Sequence, residues 1–342
     1  MPQSITVVVL TAYCFLSKIP TPSMNTLNPF IDLTAETTAT LAQGNRFPAA
    51  GHYWSQPEID ALIFAFAARR PLLVRGEAGS GKSQIARAAA QHLKCGDPLV
   101  EVIHPRFEAL DLLYRVDVVE RLADAQIKEL DKTNQKYVKR GRLWQALERM
   151  NQSQDCIPVL LIDEIDKADA DLPNALLEVL GNRSFDVPQL DHCTIHAPDQ
   201  RWPLIIITTN EERELPPAFI RRCAVLNLNP PKDDDDLFID WLIERGRVHT
   251  HLTIDDTARQ TAANQVLADR KIAQIAGYPK VGLAEYIDLL TALHELTADI
   301  ADETQRGDKQ IEWLSKLSRY GLVKHHDQDQ QRAPVTRTAT TE

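Results

Sequence analysis

The chain has 342 residues, 44% of them hydrophobic and 25% charged, enough to build a sizeable core in two domains, or in one domain with a smaller appendage. Its formal net charge of −10 argues against nucleic acid and anionic membranes as partners, because both reward basic surface. The five cysteines (Cys14, Cys95, Cys156, Cys193 and Cys223) are scattered, odd in number and form no C-x-x-C pair, so neither a disulfide framework nor a zinc site is expected and a reducing cytoplasm fits best.

No apolar run is long enough to span a bilayer. Ile5 to Leu16 is apolar, but the first basic residue is Lys18, after the run, and no small-residue cleavage site follows, so it does not read as a secretory leader. Residues 1–23 are expected to be an unstructured extension or a mis-assigned start, and 24–54 a loose lead-in with little periodicity. Gln56 to Ala68 carries Ile59, Leu62, Ile63 and Phe66 at helical spacing. Leu72-Leu73-Val74 is a short apolar run of the kind a buried parallel strand needs, followed by a glycine-rich loop and a helix over Ser83–Leu93. Leu99–Ile103 reads as a second strand, and residues 106–155 as a charged region of helix and loop. Val159–Ile162 is a third strand, Leu172–Leu180 a helix stopped by Gly181-Asn182, and 184–203 a hairpin insertion. Leu204–Thr208 and Ala224–Leu228 complete five strands. Strands alternating with helices predict a parallel α/β sheet with helices on both faces. Every periodic segment from Leu237 to about Val323 is helical, and the rest is a polar tail. The domain reading is a loose extension over 1–49, an α/β core over 50–231, an α-helical lid over 232–323 and a disordered tail over 324–342.

Four contiguous segments carry chemistry. Gly76-Glu77-Ala78-Gly79-Ser80-Gly81-Lys82-Ser83 matches G-x-x-x-x-G-K-[ST] between a strand and a helix. Its glycines allow a tight turn that brings backbone N–H groups onto phosphate oxygens, and the helix N-terminus adds a positive dipole end. Lys82 suits the β- and γ-phosphates of ATP, and the Ser83 hydroxyl suits Mg²⁺. In Val159-Leu160-Leu161-Ile162-Asp163-Glu164, two carboxylates emerge at the C-terminal edge of a buried strand, where parallel sheets bind ligands. Asp163 is the candidate Mg²⁺ ligand and Glu164 the candidate base for water; Asp166, Lys167 and Asp169 read as a charged surface turn, with subunit contact as the alternative role. Asn210, ending the fourth strand, can hold the water or the γ-phosphate by hydrogen bonds. In Leu215-Pro216-Pro217-Ala218-Phe219-Ile220-Arg221-Arg222-Cys223, an arginine closing a short helix can reach a neighbour's phosphate, and Arg222 is favoured over Arg221.

Together, GEAGSGKS, VLLIDE, TTN and LPPAFIRRC resemble the Walker A, Walker B, sensor 1 and arginine-finger elements of AAA+ ATPases, over about residues 50–230. Asp111-Leu112-Leu113, the Gly141–Ala146 turn and Leu172–Leu177 are similar to the MoxR-like and dynein-related branch. The chain departs from MoxR proteins in ending its phosphate loop Gly81-Lys82-Ser83 and in following its sensor strand with Glu211-Glu212-Arg213. The resemblance implies a P-loop NTPase core, a five-stranded parallel sheet flanked by helices, followed by a small all-α lid. It implies ATP and Mg²⁺ as cofactors and a homo-oligomeric ring, usually a hexamer. It also implies remodelling of a protein client, often with a von Willebrand factor A domain protein. Lys280 is the nearest candidate for the lid's sensor 2 cation. The alternative is a nucleic-acid-linked motor like the McrB restriction GTPase, against which the acidic balance counts.

Overall fold

The computed structural model describes residues 28–44, 47–169, 171–191, 193–198 and 201–324. The readings for residues 1–23 and for the tail beyond 324 lie outside the described residues. In chain order the elements are β1 (Thr37–Leu41), β2 (Ala50–Trp54), α1 (Gln56–Ala68), β3 (Leu72–Arg75), α2 (Lys82–Leu93), β4 (Leu99–Val102), β5 (Tyr114–Val116), α3 (Val118–Gln126), β6 (Val138–Arg140) and α4 (Arg142–Gln152). There follow β7 (Val159–Asp163), α5 (Leu172–Gly181), β8 (Ser184–Val187), β9 (Cys193–His196), β10 (Leu204–Thr209), α6 (Pro217–Ile220) and β11 (Ala224–Asn227). Four helices close the described chain: α7 (Asp235–Arg247), α8 (Asp256–Ala276), α9 (Leu283–Glu295) and α10 (Glu303–Leu322).

The central sheet has five strands in the order β11-β3-β10-β7-β4, all parallel. Both faces are covered at the centre of the sheet, which is why β3, β7 and β10 are continuous apolar runs rather than alternating ones. Leu73, Leu160, Ile162, Ile205 and Ile207 face a core shared with Trp144 of α4 and Leu172 and Leu176 of α5. Leu72, Val74, Leu161 and Ile206 face the opposite core, with Ile59 and Leu62 of α1 and Ile85, Ala88 and Ala89 of α2. The lid has its own core around Leu242, Ala262, Tyr286, Leu290 and Leu314. This is the α/β core with an all-α appendage that the sequence predicts.

Three features differ from the sequence reading. The lead-in is not loose throughout: β1 and β2 form an antiparallel hairpin, Thr37 opposite Trp54 and Leu41 opposite Ala50. Only β2 alternates cleanly, burying Ala50, His52 and Trp54, and that signal is diluted by a glycine and a histidine. Fully buried Phe30 lies edge-on to Phe66 of α1 and stacks on His92 of α2, which ties the segment to the core. Second, the charged region after β4 contains a small antiparallel pair, β5 with β6, carrying α3 between its strands. It is anchored by buried Tyr137, whose hydroxyl donates to Asp124 at 2.8 Å, and by Gly141, whose N–H donates to the Leu113 carbonyl at 2.8 Å. Third, Cys95 and Cys156 are paired in a disulfide with Cα atoms 5.1 Å apart, against the expectation of no disulfide. The fold brings the end of α2 beside the turn before β7, although 61 residues separate the two cysteines in sequence. The expected hairpin insertion is present as β8 and β9, paired Ser184 to His196. No helix among the described residues is long and apolar enough to cross a membrane.

Candidate active site

The phosphate loop runs from the end of β3 into α2. Gly79 and Gly81 have φ of 74° and 92°, the left-handed region that favours glycine, and Gly81 is the N-cap of α2. The loop also lies against other backbone: a Cβ on Gly76 would come 2.4 Å from the Leu228 carbonyl oxygen. Ala78 and Gly79 are exposed at the crown, whereas Ser80 is buried and its hydroxyl has no partner. Lys82 curls back into the loop, donating to the carbonyls of Gly76 at 2.9 Å and Glu77 at 2.7 Å. Burial pushes its ammonium below the usual lysine range, opposed by the nearby carboxylates of Asp163, Asp166, Glu164 and Glu211. A buried cation whose partners are neutral carbonyls is suited to binding an anion at the mouth of the loop.

The second half of the site is built on β7 and β10. Because β7 pairs with β10, Asp163 and Glu164 emerge beside Thr208 and Asn210. The Ser83 hydroxyl donates to the Asp163 carboxylate at 3.0 and 3.2 Å, joining the two signature segments across 80 residues. Thr208, buried, donates to Asp163 at 2.5 Å and accepts from the Glu164 N–H at 3.0 Å. One hydroxyl thus fixes both carboxylate residues. Glu164 has φ 60° and ψ 51°, a left-handed conformation uncommon outside glycine, and its carboxylate accepts from the Asn210 amide at 3.4 Å. Asp166 is only 3% exposed. It is not part of a surface turn as the sequence suggested: its carboxylate accepts from the backbone N–H of Asn210 at 3.2 Å and of Glu212 at 3.0 Å. The loop after β10 is further held by Arg75 with Glu211 at 2.5 Å and Lys167 with Glu212 at 3.0 Å.

These residues fit a magnesium nucleotide. The glycine loop, the α2 amides and the unpartnered Ser80 hydroxyl supply donors for phosphate, and Ser83 with Asp163 supplies an oxygen pair for a hard divalent ion. Residues 71–223 match the family model described as an AAA domain of the dynein-related subfamily. The chain carries an AAA+ ATPase domain.

Among curated relatives of this AAA+ ATPase, it is 28% identical to a Lon protease of Chlamydia trachomatis over 271 residues, which is 76% of this chain and 29% of that protein. It is 31% identical to a chaperone protein ClpB of Nostoc over 141 residues, which is 40% of this chain and 13% of that protein. The chain therefore spans less than a third of the length of either relative. Among solved structures, a RuvB variant of Thermotoga maritima is similar with a TM-score of 0.39 at 15% identity, covering 75% of this chain and 67% of that one.

Two predicted residues of the AAA+ ATPase lie apart from this cluster. Arg222 is exposed just after α6, beside Asn174, Leu177 and Glu178 of α5. Ala224 pairs with Leu72, the first residue of β3, while the phosphate loop leaves β3 after Arg75. Arg222 therefore sits at the sheet edge opposite its own loop, at least about 10 Å away for three strand steps of about 3.3 Å. Lys280 is exposed in the turn between α8 and α9 and makes no hydrogen bond or ion pair among the described residues. From the lid, Arg270 of α8 reaches the loop, its guanidinium donating to Glu77 at 2.6 Å. Sequence reasoning missed Thr208, Asp166 and Arg270. The only signal for Thr208 was a polar pair, Thr208-Thr209, closing an otherwise apolar strand.

Proposed function

We propose that this ATPase is a MoxR-like ring, assembled from copies of this chain and usually hexameric, that hydrolyses ATP between subunits to remodel or assemble a protein client in the cytoplasm. The observation that carries the reading is the position of Arg222. It is solvent-facing and on the opposite sheet edge from its own phosphate loop, so a guanidinium in that place serves a site other than its own. In this reading the loop from Gly76 to Ser83 binds the phosphates through its amides and Lys82, and Ser83 with Asp163 holds Mg²⁺. Magnesium held there would draw charge off the phosphates. Glu164, oriented by Asn210 and by its anchored backbone, takes the proton of the attacking water. Arg222 of an adjacent subunit meets charge developing on the γ-phosphate, an interaction worth about 10³–10⁵ in rate. Lys280 has the freedom to reach nucleotide from the lid, since no polar group among the described residues holds it. The exposed apolar side chains of Val118, Val119 and Leu122 on α3 give a ring of copies apolar surface to offer a client, of which a von Willebrand factor A domain protein is one candidate.

The test is the mass of the Glu164→Gln variant by light scattering with Mg·ATP and with Mg·GTP. Assembly to a ring with ATP supports the proposal. A chain that stays monomeric with either nucleotide contradicts it, and a preference for GTP moves a McrB-like motor to the front.

A further inference from the structure

Outside the signature segments, an ion pair joins the lid to the phosphate loop. Arg270 is buried in the lid, with a side chain 9% exposed, yet its Nη2 donates to Glu77 Oε2 at 2.6 Å. Its Nη1 donates to the Val281 carbonyl at 2.9 Å, in the turn that leads into α9. Its guanidinium carbon lies 5.2 Å from the centroid of the Phe238 ring on α7. One side chain therefore contacts α7, the α9 turn and the loop at once. Beside it the loop touches the lid again: a Cβ on Gly79 would lie 2.7 Å from Cβ of Ala284, near the start of α9. With a charged fork on one side and backbone packed on a side chain on the other, the lid cannot shift without displacing the loop. A charge-assisted bond from a planar guanidinium that is already fixed by two other contacts is directional, unlike a loose surface pair.

We propose that Arg270 is a positioning residue that sets the lid over the nucleotide site through Glu77, coupling the shape of the phosphate loop to the position of the lid. The proposal rests on the phosphate loop being the nucleotide site. Arg270 acts on Glu77, which sits in the loop, and transmits the loop's arrangement to α7 and α9.

The experiment is a double-mutant cycle on the full chain with Glu77→Gln, Arg270→Gln and both together. It reads the Kd of a fluorescent ATP analogue, KM and kcat for hydrolysis, and the melting temperature. Each single variant is expected to weaken binding about fivefold, to raise KM more than it lowers kcat, and to leave the double no worse than the poorer single. Arg270→Lys, which keeps the charge without the fork, should fall between wild type and Arg270→Gln. Additive effects in the cycle overturn the proposal, as does a lower melting temperature with unchanged Kd, which is what a purely structural lid residue gives. Should Arg270→Gln fail to fold for want of its Phe238 contact, Glu77→Gln decides alone, because it leaves every contact within the lid in place. Wild-type affinity and KM in that variant would sink the idea. The wild-type titration, run alongside, tests nucleotide binding by itself.

Discussion

Thr208 offers the sharpest test of how the site is held. Valine has nearly the same shape, so Thr208→Val removes a hydroxyl from a buried position without opening a cavity. Two bonds go with it: the 2.5 Å donation to the Asp163 carboxylate and the 3.0 Å acceptance from the Glu164 N–H. A hydrogen bond to a charged group contributes about 2 kcal/mol, and a backbone amide left without its partner costs about 1 kcal/mol more, for a total of about 3 kcal/mol. Urea denaturation of wild type and variant should show that difference as a shift in midpoint with an unchanged slope. Because Glu164 is held in a left-handed conformation by this contact, kcat should also fall at least about tenfold, the equivalent of about 1.4 kcal/mol. Thr208→Ser keeps the hydroxyl and should stay within about 1 kcal/mol of wild type. A valine variant with wild-type stability and wild-type kcat would show that the hydroxyl fixes neither the Asp163 carboxylate nor the Glu164 backbone.

Glu164→Gln keeps the side chain's size but not its basicity. It should lower kcat by about 10²-fold or more while leaving nucleotide Kd within a few-fold, as steady-state and binding titrations would show. Gly141→Ala would place a Cβ 2.3 Å from the Leu112 carbonyl oxygen and 2.4 Å from that of Asp111, so the β5–β6 unit must shift. The expected cost is about 1–3 kcal/mol, read by denaturation. Burial, aided by the positive charge of Arg245, pushes the His52 imidazole down to about 3, so it is neutral in the folded protein and its 3.9 Å approach to Glu58 is not an ion pair. The unfolded chain takes up a proton near pH 6.5 and the folded one does not, so His52 costs stability as pH falls from about 6.5 toward 3. His249, pushed down to about 4, acts in the same direction, while burial raises Glu58 and acts in the opposite one. The measurement is therefore the difference between wild type and His52→Phe at pH 7 and pH 5: wild type should lose stability relative to the variant, and a constant difference would contradict the buried neutral histidine.

The three central strands were the most legible, because burial on both faces makes each a short uninterrupted apolar run, as in Val159–Ile162 and Leu204–Ile207. The hairpins were harder. β5 and β6 have three residues each, too few for a period-two pattern, and β1 is mostly exposed threonine and alanine. The signature segments were legible because their chemistry is contiguous: a glycine loop or an Asp-Glu pair is visible in a row of letters. What was not legible depends on distant pairing. Asp166 looked like one of several charges in a turn, and only its burial against the amides of Asn210 and Glu212 marks it as a clamp. Arg270 meets Glu77 across 193 residues, and no local pattern on α8 distinguishes it from a solvent-facing arginine. The Cys95–Cys156 pair was missed for the same reason, since spacing alone does not bring two thiols together.

The central claim is that the active site is completed by a neighbouring copy. The direct test is the rate of ATP hydrolysis per subunit over a wide range of protein concentration, for wild type and for Arg222→Ala. In wild type the rate per subunit should rise with concentration and level off, and in the variant the rise should disappear. A rate per subunit that is flat across the range, or a variant that keeps the wild-type curve, would contradict it.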